Sequence, residues 1–193
     1  RRQDHVDRQR RQCPAPFDVW ETRRPVRRCL ADAMATVGSK AGPLLLGCGA
    51  VIFVTVGSMF PFDRMVRLMD NWTAQHRAEE VVAQIGGGTY EPKHMTWERM
   101  IAPNAYKRLI RSCRLMVAHA GTGSVFTAAE FGVPIVLVPR RAAYKEHTTD
   151  HQIDTAKWLE GKSGIFVAWT DNDLAAAIEL ASGAQLTGQP LVS

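Results

Sequence analysis

The sequence predicts an α/β fold, a Rossmann-like parallel sheet with helices on both faces. Three observations carry this. From Val51 onward, short strand-like runs alternate with helical patterns. The first run, "VIFVTVG", is β-branched and apolar, as a buried parallel strand is. The run "RLMVAH" (114–119) passes through a glycine turn directly into the helical pattern "GTGSVFTAAEF".

The elements follow in order. "VIFVTVGS" (51–58) is a strand lying in a charge-free run, residues 41–62, that has arginines upstream and so raises the question of a membrane anchor. Four glycines, two prolines and the short β-branched half favour a strand there, with 41–50 left as a strand lead-in or a peripheral membrane contact. "FDRMVRLMDNWTAQH" (62–76) sets Phe62, Met65, Val66 and Met69 on one helical face. "EVVAQIGGGTY" (80–90) is a second strand ending in a glycine run, "APNAYKRLIRSC" (102–113) a helix with Pro103 in its first turn, and "RLMVAH" a third strand. The helix after it stops at Gly132 and Pro134, and "IVLVP" (135–139) is the next strand. A helix over about 151–160 is capped by Thr149 or Asp150, "GIFVAW" (164–169) is the last strand, and "TDNDLAAAIELA" (170–181) opens with Thr170 and Asp173 at capping-box spacing.

Charge divides the chain. Residues 1–49 hold ten Lys and Arg against five Asp and Glu, and residues 50–193 hold fourteen of each, so the net +5 belongs to the first quarter. Residues 1–40 read as a basic, disordered arm, against the competing reading of an arm that binds RNA or a membrane surface. Met34 is a candidate start. The neutral body, 41–193, lacks the basic face that nucleic-acid binding needs, and no nucleic-acid partner is expected. Cys13, Cys29, Cys48 and Cys113 show neither CxxC nor regular spacing, which argues against a zinc site or a disulfide framework. The "NWT" at 71–73 falls within a helical pattern and is discounted as a glycosylation site.

The turn His119-Ala120-Gly121-Thr122-Gly123-Ser124 aims unpaired backbone N–H groups and a positive helix end at one point, which suits a phosphate. The turn alone has neither the third glycine of GxGxxG nor the Lys of a P-loop. Its neighbours add to it. Thr127 and Glu130, three apart on the following helix, are placed to meet ribose hydroxyls. Arg140 and Arg141 stand at the C-terminal edge of the sheet, where such folds bind ligands, and "EHTTDHQ" (146–152) opens a further helix on that edge. Together they suit an anionic, hydroxyl-rich ligand such as a nucleotide-sugar. His147 and His151 do not form HExxH, "DND" (171–173) is explained by helix capping, and no metal is expected.

"IFVTVGS" with "PFDRMV", "QIGGGTYEP", "VAHAGTGSVFTAAEFGVPIVLVPRR" and "EHTTDHQIDTA" together resemble the C-terminal, donor-binding half of family 28 glycosyltransferases of the GT-B fold. The resemblance covers about 51–182 and is greatest to the small one-domain subunits of bacterial exopolysaccharide glycosyltransferases, with similarity to the small subunit of the eukaryotic lipid-linked GlcNAc transferase. It implies half of a GT-B enzyme. Gly57 and Ser58 would line the interdomain cleft, His119, Gly121, Thr122, Gly123 and Ser124 would surround the donor diphosphate, and Asp150, His151 and Gln152 with Glu130 would approach the ribose or sugar. The peptidoglycan relative has its ribose-binding Glu where this chain has Thr127. Arg140 and Arg141 would favour an acidic sugar such as glucuronate.

The resemblance further implies a UDP-sugar donor, no cofactor, a polyprenyl-diphosphate-linked sugar acceptor, and a membrane-anchored subunit supplying the acceptor half. The chain would then sit in the cytoplasm, peripheral at the inner face of the membrane through that partner. His119 is the local candidate for a catalytic role. Competing readings are a non-catalytic stabiliser of a partner transferase and a nucleotide-sugar epimerase-like enzyme.

Overall fold

The computed structural model describes residues 51–184. The basic arm, the 41–50 lead-in, Met34, Cys13, Cys29 and Cys48 lie outside the described residues.

Six parallel strands form one sheet in the order β3-β2-β1-β4-β5-β6. The strands are β1 (Val51–Thr55), β2 (Glu80–Gln84), β3 (Thr96–Glu98), β4 (Leu115–His119), β5 (Ile135–Val138) and β6 (Ile165–Val167). The helices are α1 (Asp63–Gln75), α2 (Pro103–Ser112), α3 (Thr122–Phe131), α4 (His151–Leu159) and α5 (Asp173–Gly183). The chain winds outward from β1 through β2 to β3, returns to the far side of β1 as β4, and continues outward to β6. The order therefore reverses between β1 and β4, and at such a switch point the loops leaving the two strands diverge and open a crevice.

Strand alternation builds two cores. Ile52 and Val54 face α1 and α5, packing with Met65, Met69 and Ile178. Val51 and Phe53 face the other way, packing with Leu109 and Ile110 of α2, Val125 and Ala128 of α3, and Ala156 and Leu159 of α4. Thr73 of the "NWT" triplet is buried in α1, with its hydroxyl donating to the Met69 carbonyl at 2.7 Å. Cys113 is buried, and burial pushes its thiol up to about 12, so it is an inert core thiol.

Boundaries shift where the backbone must turn. β1 stops at Thr55, ahead of Gly57, whose φ of +80° belongs to no strand. β2 stops at Gln84, and Gly86 at φ +64° begins a long connection to the edge strand β3, an element the sequence did not announce. Two carboxylates seven residues apart on α1 hold that connection. Asp63 accepts from the backbone N–H and hydroxyl of Thr89 at 3.1 and 2.7 Å. Asp70 accepts from the Tyr90 hydroxyl and the N–H groups of Lys93 and His94. Burial pushes both carboxyls up, yet these hydrogen bonds outweigh it and hold both below the usual range.

Helix ends also differ in part from expectation. Gly132 closes α3 at φ +60°, as the sequence predicts. Asp150 does not cap α4: its carboxylate accepts the Ala142 N–H at 2.8 Å, tying α4 to a 3₁₀ turn, Ala142–Tyr144. Of the capping box, the return half forms, with Asp173 accepting the Thr170 N–H at 2.7 Å.

Candidate functional site

The switch point lies between the ends of β1 and β4, where Gly57 and His119 meet. The imidazole of His119 fills the space beside both glycines of the crevice. A Cβ on Gly57 would stand 2.6 Å from its Cε1, and one on Gly121 would stand 2.3 Å from its Nε2. These two glycines are therefore required by the ring. Gly123, in the first turn of α3, leaves open ground, since a Cβ there meets nothing within 4 Å.

Burial, then the nearby Arg140 guanidinium, pull the His119 imidazole down to about 4 against a smaller opposing effect of the Thr55 backbone. The ring is thus neutral at pH 7 and a weak base.

At the start of α3, the N–H groups of Ser124 and Val125 are taken by the Gly121 carbonyl. Among the described residues, those of Thr122 and Gly123 meet no protein acceptor, and Gly121 at the N-cap has no side chain to offer one. Two unbonded N–H groups and the helix dipole then point at one place, a setting for an anion.

The loop leaving β1 is fixed from three sides. The Thr55 hydroxyl accepts the Gly57 N–H at 3.1 Å, and the Gln84 amide donates to the Gly57 carbonyl at 3.2 Å. Arg140 donates from Nη2 to the carbonyls of Val56 and Phe60 at 2.9 and 2.6 Å, with its guanidinium 4.9 Å from the Phe62 ring. Ser58 stays exposed at the tip.

The remaining expected residues divide. Thr122 is exposed at the turn, while the Ser124 side chain is buried. Thr127 turns its hydroxyl back to the Gly123 carbonyl at 2.8 Å. Glu130 is exposed in the last turn of α3, roughly 12 Å along the axis from Thr122, so the structure does not bring it to the turn. Arg140 and Gln152, expected to reach a ligand, are instead 2% and 3% exposed, and the Gln152 carbonyl oxygen accepts the Arg140 backbone N–H at 3.2 Å. Both brace the site from beneath. Arg141 donates to the Trp169 carbonyl. Asp150 and His151 are exposed at the start of α4, where the Thr149 hydroxyl and His151 Nδ1 stand 2.9 Å apart. His147 packs edge-on against Phe60 at 5.0 Å and against His151 at 4.4 Å.

One site residue, Arg64, escaped the sequence reading. Arg64 in α1 pairs in a two-pronged manner with Glu146 at 2.6 and 3.0 Å, and also reaches Asp171 at 2.7 Å and the Pro139 carbonyl at 3.1 Å. Glu146 also accepts the Arg141 N–H at 3.0 Å, so one ion pair fixes the segment between β5 and α4. The signal was present in "PFDRMV", but a lone Arg in an amphipathic helix reads as solvated.

The profile of the glycosyltransferase family 28 C-terminal domain matches residues 51–178. The chain is 27% identical over 125 residues to the human UDP-N-acetylglucosamine transferase subunit ALG13, covering 60% of this chain and 11% of that protein. It is 35% identical over 78 residues to L-demethylnoviosyl transferase of Streptomyces niveus, covering 39% of this chain and 19% of that one. The chain thus spans a small part of the length of these relatives. Among solved structures, the glycotransferase of kitacinnamycin superposes with a TM-score of 0.54 at 22% identity, over 70% of this chain and 36% of the other. The solution structure of ALG13 superposes at 0.52 and 17% identity, over 75% of this chain and 90% of the other. At these identities the superpositions speak for the fold: the Rossmann-like half found in GT-B glycosyltransferases.

Proposed function

The chain belongs to the glycosyltransferase family 28 C-terminal domain family, and on that premise we propose that it is the donor-binding subunit of a glycosyltransferase using a UDP-sugar. The observation that carries this is the pair of unbonded N–H groups of Thr122 and Gly123, opening beside His119 at the switch point. The donor diphosphate sits there, between the α3 N-terminus and the loop of Gly57 and Ser58, with Asp150 and His151 toward the sugar. The relative named for UDP-N-acetylglucosamine transfer supports the nucleotide.

In the transfer, the bond between the sugar C1 and the diphosphate oxygen breaks and its electron pair stays on the departing UDP. The acceptor hydroxyl oxygen bonds to C1 and releases its proton. The helix N–H groups stabilise the charge that gathers on the diphosphate, a task they perform without a divalent ion. Neutral His119, depressed to about 4, is poorly matched to take the proton, because a general base works best near the operating pH. On this reading the base is assigned to the acceptor-binding half.

In this reading that half is supplied by a partner. Met59, Phe60, Met100, Phe126 and Tyr144 are exposed large apolar side chains on the segments that follow β1, β3, β4 and β5. A second, membrane-anchored subunit covering this edge and presenting a polyprenyl-diphosphate-linked sugar would cover exposed apolar side chains such as Met59 and Phe60 beside the crevice. Among the described residues no helix is long and apolar enough to cross a membrane, and peripheral attachment through the partner is the arrangement proposed.

Calorimetric titration with UDP, UDP-glucuronate and UDP-GlcNAc tests the reading, and product analysis with the partner present separates hexosyl from glucuronosyl transfer, and transfer from epimerisation. Absence of nucleotide binding, alone and with the partner, would leave the non-catalytic stabiliser as the better account.

A further inference from the structure

β1 and β5 are the two neighbours of β4. Arg140 follows β5, yet its Nη2 bonds the carbonyls of Val56 and Phe60, which follow β1. The side chain must therefore cross the end of β4, beneath His119. No other basic side chain among the described residues is buried like this one, at 2% exposure.

Its charge is also unmatched. Arg64 has Glu146 and Asp171, Arg114 has Glu79, and Arg99 has Glu91. Among the described residues no carboxylate lies within 4.0 Å of Arg140, and its Nε has no hydrogen-bond partner. Glu146, whose charge favours the guanidinium, is already held by Arg64 and the Arg141 N–H. Burial accordingly pulls Arg140 down to about 10. Burying a cation without a counter-charge is costly, and a well-packed apolar side chain would avoid the cost.

We propose that Arg140 is the positioning residue of the donor site, locking the β1–α1 loop beside His119 and holding a positive charge that the bound donor's anionic diphosphate neutralises. This rests on the donor-binding reading and adds a residue that acts from beneath the site. The same charge accounts for part of the difficulty of protonating His119.

The test compares UDP with uridine, which keeps the base and ribose and lacks the charge, by calorimetry on the full chain. In Arg140→Gln, UDP affinity is expected to fall roughly ten-fold or more, the scale of one charge interaction across several ångströms at intermediate dielectric, while uridine affinity stays unchanged. Arg140→Lys keeps the charge while losing the guanidinium's paired carbonyl bonds, so any loosening of the loop acts on both ligands alike and the variant is expected to keep the UDP-to-uridine ratio within about three-fold of wild type. An equal loss for both ligands in Arg140→Gln, or no loss for either, overturns the proposal and leaves the donor reading standing. Wild-type protein that binds neither ligand overturns the donor reading and this proposal with it. Should Arg140→Gln not fold, the slowly exchanging Nε–H resonance of Arg140 in wild-type protein decides: it shifts with UDP and not with uridine, and equal shifts or none overturn the proposal.

Discussion

His119 and Gly57 share one space: a Cβ on Gly57 would stand 2.6 Å from Cε1 of the imidazole, and the glycine's φ is +80°. Gly57→Ala therefore meets both a left-handed backbone and a ring with little room to move. We expect it to cost at least about 2 kcal/mol in urea denaturation.

Acid should loosen the fold through His119. Its folded value near 4 lies below the ordinary 6.5, so the unfolded chain binds the proton more readily. The contribution is complete above pH 6.5 and is lost as pH falls toward 4, with an upper scale of about 3 kcal/mol. The held-down carboxyls of Asp63 and Asp70 act in the same direction at still lower pH. Urea denaturation between pH 7.5 and 4.5 should show a slope in wild type and a shallower one in His119→Gln.

Asp70 fixes the path from β2 to β3 by accepting from Tyr90, Lys93 and His94 while only 2% exposed. Asp70→Ala leaves those donors unmet and should cost about 3 kcal/mol. Hydrogen exchange should speed at the Lys93 and His94 amides, with β4 and β5 protected as before.

Arg64 and Glu146 join α1 to the segment after β5, with side chains 17% and 10% exposed. A double-mutant cycle with Arg64→Ala and Glu146→Ala should give a coupling of about 1–3 kcal/mol, more than an exposed pair supplies. The singles should also weaken donor binding, because the segment carries Asp150 and His151.

Much of this fold was legible in the sequence. Strands such as "VIFVT" and "IVLV" are apolar on both faces because helices cover both, and Gly132 marks a helix end through its backbone alone. β3 was not legible: Thr96, Trp97 and Glu98 are half-buried at the sheet edge and present no apolar run. The unbonded N–H groups of the turn from His119 to Ser124 were legible because N–H groups at a helix start are a local property. The inward course of Arg140 was not, because only the tertiary fold brings the Val56 and Phe60 carbonyls within its reach. Gly57 and Gly121 could be seen as glycines, but the ring that requires them could not.

The central claim is that an anionic nucleotide seats on the α3 N-terminus. Gly123 gives a direct test, since a Cβ there meets nothing within 4 Å and stands at an unbonded N–H. Calorimetric titration of wild type and Gly123→Leu with UDP is the measurement. The account predicts saturable binding by wild type and a loss of at least roughly ten-fold in the variant, whose thermal stability is unchanged or raised, because leaving Gly favours a helix by about 0.5–1 kcal/mol. Equal UDP affinity in the two proteins would contradict it, placing the nucleotide away from this turn.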